Sequence, residues 1–200
     1  MEGCFMNSVT ADSTAVMRIA ALLDEGSFVE IGGAITARST DFNLQNAPTP
    51  GDGVLTGYGL IDGNLVYVYC QNPEVLHGTI GEMHAKKIAN VYDMAMKMGA
   101  PVIGLIDCAG MRLQEATDAL YGFGNLYLKQ TMASGVIPQI TAVFGTCGGG
   151  MAIIPALTDF TFIESKKGKM FVNSPNALDG NYTEKCDTAS AEFQSKETGL

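Results

Sequence analysis

Positive charge is scarce in this chain: 12 lysines and arginines stand against 21 acidic residues, giving a net charge of −9. That balance repels a nucleic-acid backbone, and only the short clusters Lys86-Lys87 and Lys166-Lys167-Gly168-Lys169 interrupt it, so no nucleic-acid partner is expected. Any anionic ligand must be held locally. Charged residues make up only 16% of the chain against 46% apolar, which excludes general disorder over 200 residues. No stretch approaches the roughly 18 uninterrupted apolar residues of a membrane helix, so no membrane insertion is expected. The opening "MEGCFMNSVTADST" has neither a basic region nor a long apolar one, and the expected compartment is the cytoplasm.

The five cysteines (Cys4, Cys70, Cys108, Cys147, Cys186) form no C-x-x-C pair and none lies close to a histidine. They read as reduced thiols, with no metal site. Also missing are the phosphate-binding G-x-x-x-x-G-K-[ST] and the dinucleotide G-x-G-x-x-G.

What is present is an alternation of periods. In "DSTAVMRIAALLD", residues 12 to 24, Val16, Ile19, Ala20 and Leu23 fall at helical spacing behind a cap at Asp12 or Ser13. Residues 39 to 53 carry two prolines, two asparagines and "PGDG", which predicts a surface loop. "VLTGYGLI" and "NLVYVYC" flank Asp62-Gly63 and predict a β-hairpin. After Gly78, a stripe through Ile80, Met83, Lys87/Ile88, Val91, Met94/Ala95 and Met98 predicts a long amphipathic helix stopped by Gly99 and Pro101.

A strand, a small-residue turn and a helix then follow twice. "APVIGLIDCAG" leads to a helix over about Gln114 to Ser134, and "GVIPQITAVFGTCGGG" leads to a short helix, after which "DFTFIES" and "KMFVN" read as strands. This is an α/β pattern with crossover connections, in which ligands gather where strand ends meet helix starts.

Two turns occupy that position: "CAGMR" (108 to 112) and "TCGGGM" (146 to 151). A triple glycine disfavours a helix by roughly 1 kcal/mol per residue relative to alanine, so its place at a helix start asks for a reason. Unsatisfied N–H groups there can hold an anion, a phosphate or a thioester oxygen becoming an enolate. Close packing at a strand–helix corner explains small residues equally well, and the spacing does not decide between the two.

The segments "PGDGVLTGYGLIDGNLVYVY", "HAKKIANVYDMAMKMGAPVIGLIDCAGMRLQEA" and "GTCGGGMAIIPALTDFTFI" follow one another in an order that resembles the N-terminal half of the carboxyltransferase subunits of biotin-dependent acyl-CoA carboxylases and decarboxylases. The resemblance implies the ClpP/crotonase-like superfold of repeated ββα units, one N-terminal domain over residues 1–200, and a C-terminal half absent from this chain. It implies an acyl-CoA thioester as substrate, biotin on a carrier protein as cofactor, and a homo-oligomer completed by the C-terminal half. It places catalytic N–H groups at Gly148 and Gly149, with Gly150 after them, and the substrate path along Ala109, Gly110, Met111 and Arg112. A bulky residue at Gly149 is then expected to stop carboxyl transfer and leave the fold intact.

Among single residues, Arg112 has two readings, a phosphate contact or a salt bridge to Glu115. Arg38, Lys86 and Lys87 are candidates for the phosphates of CoA, or else a solvated face. His77 and His84 are general bases in principle, with structural roles as the alternative. Cys147 at a helix start has the setting of an activated thiol, as a Clp-like hydrolase would require, but no accompanying Ser/His/Asp set is visible.

Overall fold

The computed structural model describes residues 13–38, 48–174 and 187–200. Asp12, Cys4, Cys186 and most of the 39–53 loop expectation lie outside them. Helix α1 (Thr14–Leu22) starts at Ser13, whose hydroxyl accepts from the Val16 N–H at 3.3 Å. Its inner face is Ala15, Val16 and Ile19, while Ala20 is exposed.

Strand β1 (Val29–Glu30) edges a sheet in which β2 (Val54–Ile61) and β3 (Asn64–Gln71) form the predicted antiparallel hairpin around Asp62-Gly63. Helix α2 (Glu82–Met98) crosses to β4 (Val102–Cys108), helix α3 (Ala116–Ala133) crosses to β5 (Gln139–Gly148), and the chain continues through α4 (Ile153–Ala156) to β6 (Phe160–Ile163) and β7 (Lys169–Phe171). The strand order is β1-β2-β3-β4-β5-β6, parallel from β3 onward, with β7 paired to the far end of β5. β2, β3 and α2 make one ββα unit, and β4–α3 and β5–α4 follow it. A short helix α5 (Ala191–Phe193) returns near β7, where Met170 N–H bonds to Ala189 O at 2.9 Å.

The central strands of the sheet are covered on both faces. α2 and α3 bury Tyr69, Ile88, Val91, Tyr92, Ile106, Phe123 and Val143 on one side, and α1 buries Leu55, Val68, Ile103 and Leu105 on the other. Strands with cover on both sides must be apolar throughout, which is why "APVIGLIDC" shows no alternation.

Two sequence expectations are corrected here. Met98, placed on the inner stripe of α2, is exposed, and the buried face instead runs through His84, Ala85, Ile88, Val91, Tyr92 and Ala95. "PGDG" is no surface loop: Pro50–Gly53 forms a tight turn whose Gly51, Asp52 and Gly53 are buried, because Asp52 accepts hydrogen bonds from residues far along the chain.

Lys87 belongs to the same correction. It is 4% exposed, and its ammonium donates to the carbonyls of Gly51 (2.7 Å) and Val54. Burial lowers its pKa to about 8, with the carboxylates of Glu30 and Asp52 pulling the other way. Between that value and the ordinary 10.5 the unfolded chain holds a proton that the folded chain has released, so stability rises with pH across that window. Buried cysteines, whose thiols burial pushes up, lose stability over the same window, so the Lys87 share is read as a difference: relative to Lys87→Met, the unaltered protein is expected to gain about 3 kcal/mol in urea unfolding between pH 8 and 10.5. The same slope in both proteins would show that Lys87 is not the source.

Candidate active site

The two small-residue turns meet at the ends of β4 and β5, where Cys108 and Cys147 are paired positions in adjacent parallel strands. The 108–112 turn is tied down by its own neighbours. Ala109 N–H donates to His77 O (3.2 Å), Gly110 N–H to Cys108 Sγ (3.3 Å), and Arg112 N–H to Ile80 O (2.9 Å). These three amides are engaged, so what the turn presents outward is the exposed Ala109 and the half-buried Met111. Both line a cleft of about 320 Å³ together with Leu76, His77, Thr79, Arg112, Leu113 and Gln114. Leu76 and His77 are both in the left-handed region, φ +48° and +54°, a conformation that costs a non-glycine residue roughly 1–2 kcal/mol. The strained turn is what places His77 O against Ala109.

The second turn ends β5. Gly148 is buried with a reason for lacking a side chain: a Cβ there would stand 3.1 Å from Ala109 O and 3.2 Å from the Phe171 ring. Gly149 differs. Its φ is +63° and nothing lies within 4 Å of where a Cβ would stand, so its backbone opens on free space. A tight helical turn, Gly149–Ala152, then runs into the single α-turn of α4. So short a helix carries little dipole, so the chemistry it offers is that of the individual leading N–H groups. Tyr127 Oη donates to Gly150 O at 2.6 Å and fixes the turn from α3.

The charged candidates are engaged within the protein. Arg112 is 1% exposed and binds Asp52 and Glu115 through one guanidinium nitrogen and Thr79 O (2.8 Å) through the other, so its salt-bridge reading holds and its guanidinium does not reach for phosphate. Arg38 pairs with Asp118 and, at 3.2 Å, with Glu82. Lys86 pairs with Glu82 at 2.6 Å, and Lys87 is the buried lysine already described.

His84 is fully buried, and burial first, then the nearby Arg112 charge, holds its pKa well below the ordinary histidine value. It is a neutral structural group. His77 is exposed and faces the cleft. Cys147 does not fit the nucleophile reading: burial pushes its thiol pKa up, as it pushes Cys108 to about 12, the reverse of an activated cysteine. Among the described residues no three His, Cys, Asp or Glu side chains cluster as a metal would need, and no helix is long and apolar enough to cross a membrane.

Gln71, Asp107 and Tyr127 join this region without belonging to any motif. Gln71 closes the apolar strand "NLVYVYC" and Asp107 interrupts the apolar β4, so a polar residue near the C-terminal end of each apolar strand is the signal the sequence offers.

A sequentially ordered sheet, parallel from β3 onward, with helical cover and a glycine turn where β5 meets a helix is the crotonase-like architecture. Residues 10–194 match the model of the carboxyl transferase domain, and the chain belongs to that family. It is 47% identical over 165 residues to methylmalonyl-CoA decarboxylase subunit alpha of Propionigenium modestum, and 48% identical over 165 residues to the propionyl-CoA carboxylase beta chain of Roseobacter denitrificans. Each alignment covers 82% of this chain and 32% of the relative, so the chain spans about a third of their length. A solved transcarboxylase 12S, a hexamer with methylmalonyl-coenzyme A and methylmalonic acid bound, superposes with a TM-score of 0.88 at 34% identity over 92% of this chain and 37% of that one.

Proposed function

We propose that this chain is the acyl-CoA-binding half of a site that moves a carboxyl group between a thioester and biotin. The observation that carries the reading is Gly149: β5 leads into a left-handed glycine facing open space, and Gly148 before it lies against Ala109, which lines the cleft. The thioester oxygen would sit at the N–H groups of Gly148 and Gly149, with Gly150 held back by Tyr127. Negative charge develops on that oxygen when the α-carbon loses a proton or a carboxyl group, and fixed donors stabilise the charged form more than the neutral one.

Ala109, Gly110 and Met111 would flank the acyl and pantetheine path, and Arg112 would hold that wall in place. Arg38 remains a candidate for the phosphates of CoA only if it leaves Asp118. Biotin, brought by a carrier protein, supplies the carboxyl acceptor or donor. The groups that orient it belong to the C-terminal half, and the family's relatives carry that extra length. Exposed Leu120, Tyr121, Leu128 and Met132 on α3, with Phe160 and Phe162 on β6, give this domain an apolar exterior suited to that half or to further copies. The setting we infer is the cytoplasm.

Titration calorimetry of this chain with propionyl-CoA and methylmalonyl-CoA, beside a carboxyl-transfer assay with and without the C-terminal half, tests the proposal. Binding by the chain alone, with turnover only in the assembled protein, is the expected result. Absence of binding to either thioester, in the chain and in the assembly alike, contradicts it.

A further inference from the structure

Beside the Arg112 ion pairs and Lys87, the core facing α2 holds a continuous chain of hydrogen bonds that runs through His84 and Gln71. Its first member is the carbonyl of Asp52, in the buried "PGDG" turn, 2.9 Å from His84 Nδ1. A carbonyl only accepts, so Nδ1 carries the proton, and in this neutral ring Nε2 is the acceptor. Gln71 Nε2 donates to it at 3.2 Å. The same amide nitrogen lies 3.7 Å from Met151 Sδ, inside the glycine-rich turn, and Gln71 Oε1 accepts from Asp107 N–H at 3.3 Å, at the end of β4. Asp52, Gln71 and His84 are each 0% exposed, as is Met151.

Burying three polar side chains in an apolar core is costly unless every group is paired, and a fully paired chain fixes geometry that apolar packing leaves adjustable. Here it spans the two strand ends that bear the small-residue turns. Gln71 touches both: Asp107, which itself accepts from Thr146 N–H on β5 at 3.2 Å, and Met151, two residues after Gly149. The His84 tautomer decides which way the Gln71 amide faces. A reversed amide would set its oxygen against the unprotonated Nε2 and its NH₂ against the Asp107 N–H, losing both bonds.

We propose that Gln71 and His84 are positioning residues: through this relay they set the glycine turn relative to the end of β4, and so the aim of the Gly148 and Gly149 N–H groups. The proposal rests on the carboxyl-transfer reading above. Its effect falls on a donor array used most in the transition state, so kcat should fall and KM should not.

The test uses the assembled protein with the variant Gln71→Met, which keeps an unbranched side chain of similar length and removes the amide. Cys70→Ala, the adjacent residue facing the α1 side, is the control for loss of core packing. In Gln71→Met, kcat should fall about 10–10²-fold, as a displacement of about 1 Å at a donor produces, with KM for the acyl-CoA within about twofold. Amide hydrogen exchange should rise in peptides covering 146–152 and stay unchanged at 160–163. Cys70→Ala should lower the melting temperature without either effect. A Gln71→Met protein with wild-type kcat and wild-type exchange at 146–152 overturns the proposal, whatever its stability. If the unaltered assembly transfers no carboxyl group, the functional reading fails instead, and the exchange measurement alone decides whether the relay positions the turn.

Discussion

Gly149→Val in the assembled protein is expected to lower carboxyl transfer by about 10²–10³-fold, the usual loss when an oxyanion donor is taken away. The branched side chain would project into the open space beside the turn, where the thioester oxygen has to sit. The structure modifies the expectation that the fold would be untouched. At φ +63° a β-branched residue is strained, by roughly 1–2 kcal/mol, so some loss of melting temperature accompanies the loss of activity. Gly149→Asn separates the two effects, because asparagine adopts the left-handed region at small cost while still covering the N–H groups. Near-wild-type melting with activity as low as in the valine variant is the expected outcome. Full turnover in Gly149→Val would remove Gly149 from the site.

The second large effect concerns Arg112. Arg112→Met strands two fully buried carboxyl groups, Asp52 and Glu115, and removal of one partner from a buried ion pair costs about 3–5 kcal/mol. Urea denaturation should show the midpoint shifted with the slope unchanged. The pH dependence identifies the cause. Burial raises the Asp52 pKa above 3.8 despite the opposing attraction of Arg112, so the folded state binds this proton more tightly than the unfolded one. Its contribution is fully present below the unfolded value and is lost as pH rises through the folded value. Without Arg112 the folded pKa rises further, so the deficit of Arg112→Met should narrow as the pH is lowered from 7 toward 5. A deficit constant across that range would trace the loss to packing alone. Activity should also fall, because the guanidinium that anchors the wall formed by 109–112 to Thr79 O is lost.

What the chain revealed in advance was local. Asp62-Gly63 marked the hairpin because a two-residue turn needs only its own residues, and "APVIGLIDC" marked a strand covered on both faces because burial leaves no room for alternation. The glycine-rich turn was visible for the same reason, as glycines placed where a helix should begin. What escaped was held by distant partners. "PGDG" reads as a loop until Arg112, 60 residues away, and His84 are seen to close on Asp52. Lys87 reads as a surface charge until Gly51 and Val54 offer their carbonyls. Gln71 is a single polar residue at the end of an apolar strand, and its role exists only where β3, β4 and the glycine turn come together. Spacing also left open whether the small residues served packing or a ligand. The structure separates the two glycines: a Cβ at Gly148 would press on Ala109 O and the Phe171 ring, while a Cβ at Gly149 would meet no atom within 4 Å.

The central claim is that the Gly148 and Gly149 N–H groups receive the thioester oxygen. Infrared difference spectroscopy of propionyl-CoA carrying a ¹³C label at the thioester carbonyl, bound to the assembled protein, reads that contact directly. A carbonyl stretch shifted to lower frequency in the unaltered protein, and restored to its solution position in Gly149→Asn with the ligand still bound, is the predicted result. A carbonyl band at the same position in both proteins would place the thioester oxygen elsewhere and contradict the account.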